Sequence, residues 1–186
     1  MWIQRIVDGL NSRSSRVEPG REDYPSAAVA LLIHADSLLF IRRSIHPKDP
    51  WSGHMAFPGG HVDDTDVDEV AAAIRETFEE TGVDLRNADL LGRLNDCASP
   101  SVVPRLSIAA FVFVLKDEPT LTLNHEVADV RWFNIERLCS REGRGTLPWT
   151  WKGKKISMPA VRMDGVVVWG LTLRFVDEIV QRMEDA

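Results

Sequence analysis

Cysteine is scarce in this chain and positive charge is outnumbered by negative, and each fact excludes a class of function. Cys97 and Cys139 are the only two cysteines and form no CxxC pair. Neither a disulfide framework nor a cysteine-based zinc site is therefore expected. They read as free thiols in a reducing compartment. Lys and Arg number 22 against 28 Asp and Glu, for a formal net charge of −6. Nucleic-acid binders usually carry a basic field, so no nucleic-acid partner is expected. A small anionic substrate stays compatible, because a bound divalent cation inverts the local charge. No apolar run approaches the roughly 20 residues that span a bilayer, so no membrane partner is expected. Internal repeats, low-complexity tracts and a secretory apolar segment are also absent, and the expected location is cytoplasmic.

The 186 residues, 44% of them hydrophobic, suit one packed domain. Residues 1–26 read as an N-terminal extension, with Trp2, Ile3, Ile6, Val7 and Leu10 at helical spacing and a Pro/Gly-containing linker after them. Residues 27–186 form the expected domain. Short apolar runs at 27–33, 37–42, 55–57, 90–94, 108–115, 127–133 and 166–169 predict strands. Residues 135–139 predict a helical turn. Leu171, Phe175, Ile179 and Met183 predict a closing amphipathic helix. Residues 141–165, rich in Gly and Pro, read as a long irregular stretch that could cover a site. The mixture is of the α/β class.

The chemistry concentrates in a helix predicted over 67–81 and stopped by Gly82. At about 100° per residue, Val67, Val70, Ala71, Ile74 and Phe78 share one face, which is the face expected to be buried. Glu76, Glu79 and Glu80 gather on the opposite side, bordered by Ala72 and Ala73. Like charges at these spacings repel by a few tenths of a kcal/mol, roughly, for each pair. A divalent cation removes that penalty, and hard oxygen ligands suit Mg2+ or Mn2+. Arg75, four residues before Glu79, can orient it through a charged hydrogen bond. A solvated acidic surface would show the same three glutamates, so the helix alone does not decide. Asp64, Asp66 and Asp68 imitate the start of a calcium-binding EF-hand loop. Its sixth and twelfth positions are Glu69 and Arg75 rather than Gly and Glu, which excludes that site. His46, His54 and His61 make no zinc spacing.

The context of the helix is more specific. Phe57–Pro58–Gly59–Gly60 precedes it, and Arg75–Glu76–Thr77–Phe78–Glu79–Glu80–Thr81–Gly82–Val83 closes it. This closely resembles the Nudix box, G-x5-E-x7-R-E-U-x-E-E-x-G-U, where U is a bulky aliphatic residue. Asp66 stands in the place of the first Glu, one residue further from Arg75 than usual, and Thr77 replaces an aliphatic residue. The resemblance implies a Nudix-type α/β/α sandwich, a mixed β-sheet flanked by helices. It also implies a pyrophosphohydrolase that uses Mg2+ or Mn2+. The metal would be held by Glu76, Glu79 and Glu80 with a backbone carbonyl of Gly59 or Gly60. Catalytic roles would fall to Glu79, Glu80, Arg75 and, as a downstream candidate for the general base, Glu126. Arg42, Arg43 and Arg105 are candidates for phosphate binding. Trp51, Trp149 and Trp151 could stack on a base.

A finer resemblance points to coenzyme A pyrophosphatases, which carry LLTxRSx3Rx3Gx3FPGG ahead of the box. Here Leu38–Leu39–Phe40–Ile41–Arg42–Arg43–Ser44, Gly53 and the FPGG run answer to it, with the Arg–Ser pair one residue upstream and Asp49 at the second Arg. Val168–Trp169–Gly170–Leu171–Thr172 is also similar to those enzymes. The expected substrate is a small nucleotide-like diphosphate such as coenzyme A or its acyl forms. Another Nudix substrate (a nucleotide sugar, a dinucleotide or a damaged nucleoside triphosphate) and a Nudix-fold ligand-binding regulator remain alternatives. A homodimer is implied by resemblance alone.

Overall fold

A computed structural model describes residues 2–17, 26–49, 51–99, 106–140, 142–151 and 153–186. Its centre is strand β1 (Ser26–His34), which runs parallel to β7 (Leu106–Leu115) from Ser26↔Ser107 to His34↔Leu115. Both strands are buried on both faces. That burial explains why they read as unbroken apolar runs rather than alternating ones. The His34–Ser37 hairpin leads into β2 (Ser37–Arg43), which pairs along its whole length with β8 (Val127–Asn134) and, at Ile41 and Arg42, with β3 (Met55–Ala56). On the far side, β5 (Asp89–Arg93) and β6 (Cys97–Ser99) add antiparallel to β7. β4 (Gly59–His61) adds antiparallel to the start of β1.

Alternation along β1 divides the core. Ala28, Ala30 and Leu32 face one side, together with Leu39, Ile41, Phe111 and Phe113. Helix α2 (Glu69–Thr81) packs there. Leu31 and Ile33 face the other side, under α1 (Trp2–Asn11) and α4 (Gly170–Glu184). Helices on both faces of a mixed sheet make the expected α/β/α sandwich. No helix among the described residues is long and apolar enough to cross a membrane.

Two expectations need correction. The stretch expected to be irregular over 141–165 is ordered where it is described: β9 (Arg144–Trp151) and β10 (Lys154–Met163) form a hairpin, and β10 also pairs with β11 (Val166–Trp169). Gly143, Gly153 and Gly165 lie in the connections. Pro148 sits on the edge strand, and Pro159 lies beyond the reach of β11, whose pairing ends at Ala160. Proline is tolerated at such positions because a ladder partner is missing on one side.

The second correction concerns α2. Its buried residues are Ala72, Ala73, Thr77, Glu80 and Thr81, whereas Phe78 is 54% exposed and Val67, before the helix, is 91% exposed. Of the predicted apolar stripe, Val70 and Ile74 pack at the flank of the core while Phe78 faces out; of the carboxylates, Glu80 and Glu76 turn inward while Glu79 stays 52% exposed. Ala72 and Ala73 are small enough to let the helix approach Ala28 and Ala30 of β1. That close approach carries Glu80 under the helix.

Candidate active site

α2 is defined locally at both ends. The Asp68 side chain accepts a hydrogen bond from the Ala71 N–H at 2.7 Å, capping the start. Gly82, at φ 75°, ends the helix by donating its N–H to the Phe78 carbonyl at 2.8 Å. Between these caps the inward glutamates meet the glycine pair. The Gly59 N–H donates to Glu80 Oε2 at 2.9 Å. A Cβ on Gly59 would stand 2.2 Å from the Ala28 carbonyl oxygen, and one on Gly60 would stand 2.4 Å from the Glu76 carboxyl. Only glycine at 59 leaves room for β4 to lie this close to β1, and a side chain at 60 would displace the Glu76 carboxyl.

Arg75 knits the preceding loop to the helix. Its guanidinium donates to both oxygens of Asp66, at 3.1 and 2.8 Å, and to the His61 carbonyl at 3.0 Å. It also donates to Glu76 at 2.9 Å and reaches Glu79 only at 3.5 Å. The orienting contact expected for Glu79 is thus made mainly with Glu76. The bond from Arg75 holds the Asp66 carboxyl below its usual range. Sequence reasoning placed Asp66 at the box's first acidic position without a role; its side chain is the clamp on Arg75.

The loop before β8 closes the site. The Thr122 and Asn124 N–H groups donate to the Thr81 and Glu80 carbonyls, at 2.8 and 3.1 Å. The Ser44 N–H donates to the Glu126 carbonyl at 2.7 Å. Glu126 itself is exposed, and its charge acts on both Glu76 and Glu80. Glu80, 3% exposed, has its pKa pushed up to about 8, chiefly by burial. Glu76 and Glu126 push the same way, while the Gly59 N–H and Arg43 oppose the shift. Glu76 is also raised by burial, against the pull of Arg75.

The three candidate phosphate-binding arginines separate. Arg43 joins the acidic face, where its charge favours ionised Glu80, and it is held by Asp49 at 2.9 and 2.8 Å. Arg42 turns to Asp129 on β8 at 3.4 Å. Arg105 lies outside the described residues. Trp51 and Trp149 come together with His54 and Trp169, the last two unmarked by sequence reasoning as aromatic partners. The Trp151 side chain lies outside the described ones.

Among the described residues, no three His, Cys, Asp or Glu side chains stand as a ready-made metal cage. Protein donors hold these carboxylates instead: Arg75 holds Glu76, and the Gly59 N–H holds Glu80. The chemistry of the donor set nevertheless fits a hard divalent cation. It consists of oxygens only, its carboxylates repel one another, and Gly60 leaves no side chain between β4 and Glu76. A carboxylate as buried as Glu80 keeps its charge only beside a strong positive partner.

The family model described as NUDIX domain matches residues 23–152. The chain belongs to the Nudix family. It is 46% identical over 95 residues to an uncharacterised Nudix hydrolase, NudL, of Escherichia coli strain K12, covering 47% of this chain and 49% of that protein. An uncharacterised protein of Schizosaccharomyces pombe is 40% identical over 107 residues, covering 54% of this chain and 32% of that protein. The chain thus spans between a third and a half of the curated relatives it matches. Its fold is similar to a MutT/nudix family protein from Enterococcus faecalis. There the TM-score is 0.59 at 20% identity, over 94% of this chain and 66% of that one. A C. elegans Ap4A hydrolase binary complex is similar at a TM-score of 0.53 and 23% identity, over 61% of this chain and 82% of that one.

Proposed function

We propose that the chain is a pyrophosphohydrolase dependent on Mg2+ or Mn2+ that cleaves a diphosphate linkage in a nucleoside diphosphate derivative, with coenzyme A and its acyl forms as substrates. The observation that carries the reading is the meeting of buried Glu80 and half-buried Glu76 with a glycine pair, Gly59 closed by the β1 backbone and Gly60 lying against the Glu76 carboxyl. Membership of the Nudix family, whose named relatives include Nudix hydrolases, supports it. The coenzyme A assignment rests on the FPGG run, Gly53 and the Val168–Thr172 segment. A homodimer, by family resemblance, and a cytoplasmic location are part of the same reading.

Glu76, Glu79 and Glu80, with a carbonyl of Gly59 or Gly60, would hold the ions. Bound there, they would neutralise the diphosphate, lower the pKa of a water and stabilise the leaving phosphate. The protein supplies the rest. Arg75 and Asp66 hold Glu76 in place. Arg43 offers a cation to the substrate's phosphate oxygens. Glu126, whose described hydrogen bonds run through its backbone, has a carboxylate available to take a proton from the attacking water. The water oxygen bonds to phosphorus, the bridging P–O bond breaks, and two phosphomonoesters leave.

The test is incubation with Mg2+ or Mn2+ and a panel of coenzyme A, acyl forms, dinucleotides, nucleotide sugars and nucleoside triphosphates, with products identified by mass. The expected products from coenzyme A are adenosine 3′,5′-bisphosphate and 4′-phosphopantetheine, absent with Glu80→Gln. Cleavage of a different diphosphate would overturn the substrate but keep the reaction. No metal-dependent product from any compound would overturn the enzymatic reading.

A further inference from the structure

Four aromatic rings from separate parts of the chain meet next to the segment that holds Arg43. Trp149 of β9 and Trp169 of β11 lie with centroids 4.6 Å apart. His54, just before β3, packs edge-on against Trp169 at 5.0 Å and against Trp149 at 6.0 Å. Trp51 lies 6.1 Å from Trp149 with the two planes only 16° apart. Trp169 is the buried base of the group, at 7% exposure. Trp51, His54 and Trp149 remain half-buried. The two half-open indoles leave flat apolar surface on which a planar group can stack.

Backbone and side-chain bonds tie this group to the carboxylates. Asp49 accepts from the Trp51 N–H at 2.9 Å while it grips Arg43. Arg43 donates its backbone N–H to the His54 carbonyl and accepts from the Gly53 N–H, both at 3.0 Å. The charge of Arg43 reaches both His54 and Glu80. The order outward is therefore carboxylates, arginine, aromatic rings. A nucleoside diphosphate has the same order: bridging phosphate, proximal phosphate and ribose, base.

We propose that Trp51 and Trp149 form the stacking wall for the purine base of the substrate, with His54 and Trp169 behind them holding the planes in a common orientation. The inference rests on the pyrophosphohydrolase reading for its substrate, but not for its binding site. Base stacking on an aromatic ring is worth about 1–3 kcal/mol, or roughly 5- to 150-fold in affinity. The three-stranded β9–β10–β11 sheet is then a specificity element, since it supplies Trp149 and seats Trp169.

The experiment titrates the full chain, without turnover, with adenosine diphosphate, uridine diphosphate and inorganic pyrophosphate while tryptophan fluorescence is read. Trp149→Leu, Trp51→Leu and Trp149→Phe are titrated beside it. Quenching by adenosine diphosphate at lower concentration than by uridine diphosphate, and none by pyrophosphate, is expected. Both leucine variants should weaken adenosine diphosphate binding about 5- to 150-fold, with KM for the purine substrate rising more than kcat falls. Trp149→Phe, which keeps a flat ring, should recover most of the affinity. Equal affinity in wild type and leucine variants, with only the melting temperature lowered, would overturn the proposal and leave the rings as packing. Purine binding without hydrolysis would retain the wall and overturn the enzymatic reading; hydrolysis with unchanged KM in the leucine variants would do the reverse.

Discussion

Glu80 lies at the centre of the face that α2 turns to the sheet, and burial there makes its charge unfavourable until a cation arrives. Its pKa rises from 4.5 to about 8 in the folded chain, so the folded state binds the extra proton. That contribution to stability is fully present below 4.5 and is lost as pH rises through about 8. Metal-free protein should accordingly lose stability to urea between those values. Glu80→Gln, which mimics the neutral form, should flatten that slope, fold normally and abolish turnover. Excess Mg2+ should stabilise the wild type more as pH rises, because it selects the ionised carboxylate. A wild-type slope equal to that of the variant would remove Glu80 as its source. The glycine pair separates folding from chemistry in the same way. Gly59→Ala drives a Cβ into the Ala28 backbone at φ 148° and should destabilise by several kcal/mol, on the order of other severe core changes. Gly60→Ala meets only the movable end of Glu76 and should keep the melting temperature while losing activity. Thermal melts beside rate measurements check both.

At the scale of the element, the loop from Asp63 to Asp68 and helix α2 act as one unit through Arg75. Asp66 is the nearly buried end of that unit, its side chain 5% exposed. Removing its charge frees the guanidinium to swing toward solvent and leaves Glu76 without a fixed partner. Asp66→Asn should lower metal affinity or activity by about 10- to 100-fold, as losses of groups that orient metal ligands do. The checking measurement is the Mn2+ dependence of the rate. An unchanged metal requirement would show that Arg75 holds Glu76 unaided. The lowered pKa of Asp66 also sets a direction: its stabilisation is present near neutral pH and is lost as pH falls through that lowered value.

For the whole molecule, the N-terminal helix shares the core of the domain. Ile6 and Leu10 of α1 are buried with Phe175, Val176 and Ile179 of α4. Gly9 lies so near α4 that a Cβ would stand 2.3 Å from the Arg182 carbonyl oxygen. Arg182, 1% exposed, is bonded to Glu178, to the Arg13 carbonyl and to Ser15. Arg182→Leu leaves a carboxylate and a carbonyl without that cation. It should cost about 3–5 kcal/mol, as broken buried ion pairs do. The site lies on the opposite face of the sheet, so the folded fraction should keep its kcat. Faster proteolysis within residues 12–17 would report the released N-terminal segment. Deleting residues 2–11 should likewise lower the melting temperature by exposing the α4 face. A truncated chain as stable as the full one would make those residues an independent extension.

Local patterns settled what depends on neighbours along the chain. Apolar runs marked β1, β2 and β7 because strands buried on the sheet need little else, and Val127, Val130 and Phe133 marked the half-exposed β8. Gly82 bounded the end of α2 because a cap acts within four residues, whereas the cap at Asp68 sets the start at Glu69 rather than at the predicted residue 67. Glu76, Glu79, Glu80 and the two glycines were legible because their spacing along the chain is itself the motif. The tertiary structure decided what depends on distant partners. Hydrophobic periodicity placed Val70 and Ile74 at the core but missed that α2 is rotated to set Ala72 and Ala73 on the sheet, for closeness rather than apolar area. The β9–β10 hairpin was hidden because its Gly and Pro residues punctuate locally, whereas the pairing from Arg144↔Val161 to Trp151↔Lys154 is cross-strand. Only folding selects Arg43 over Arg42, clamps Asp66 on Arg75 across 9 residues, and brings Trp51 to Trp149. A side chain's type sets which contacts it can make, and the path of the backbone sets which of them it meets.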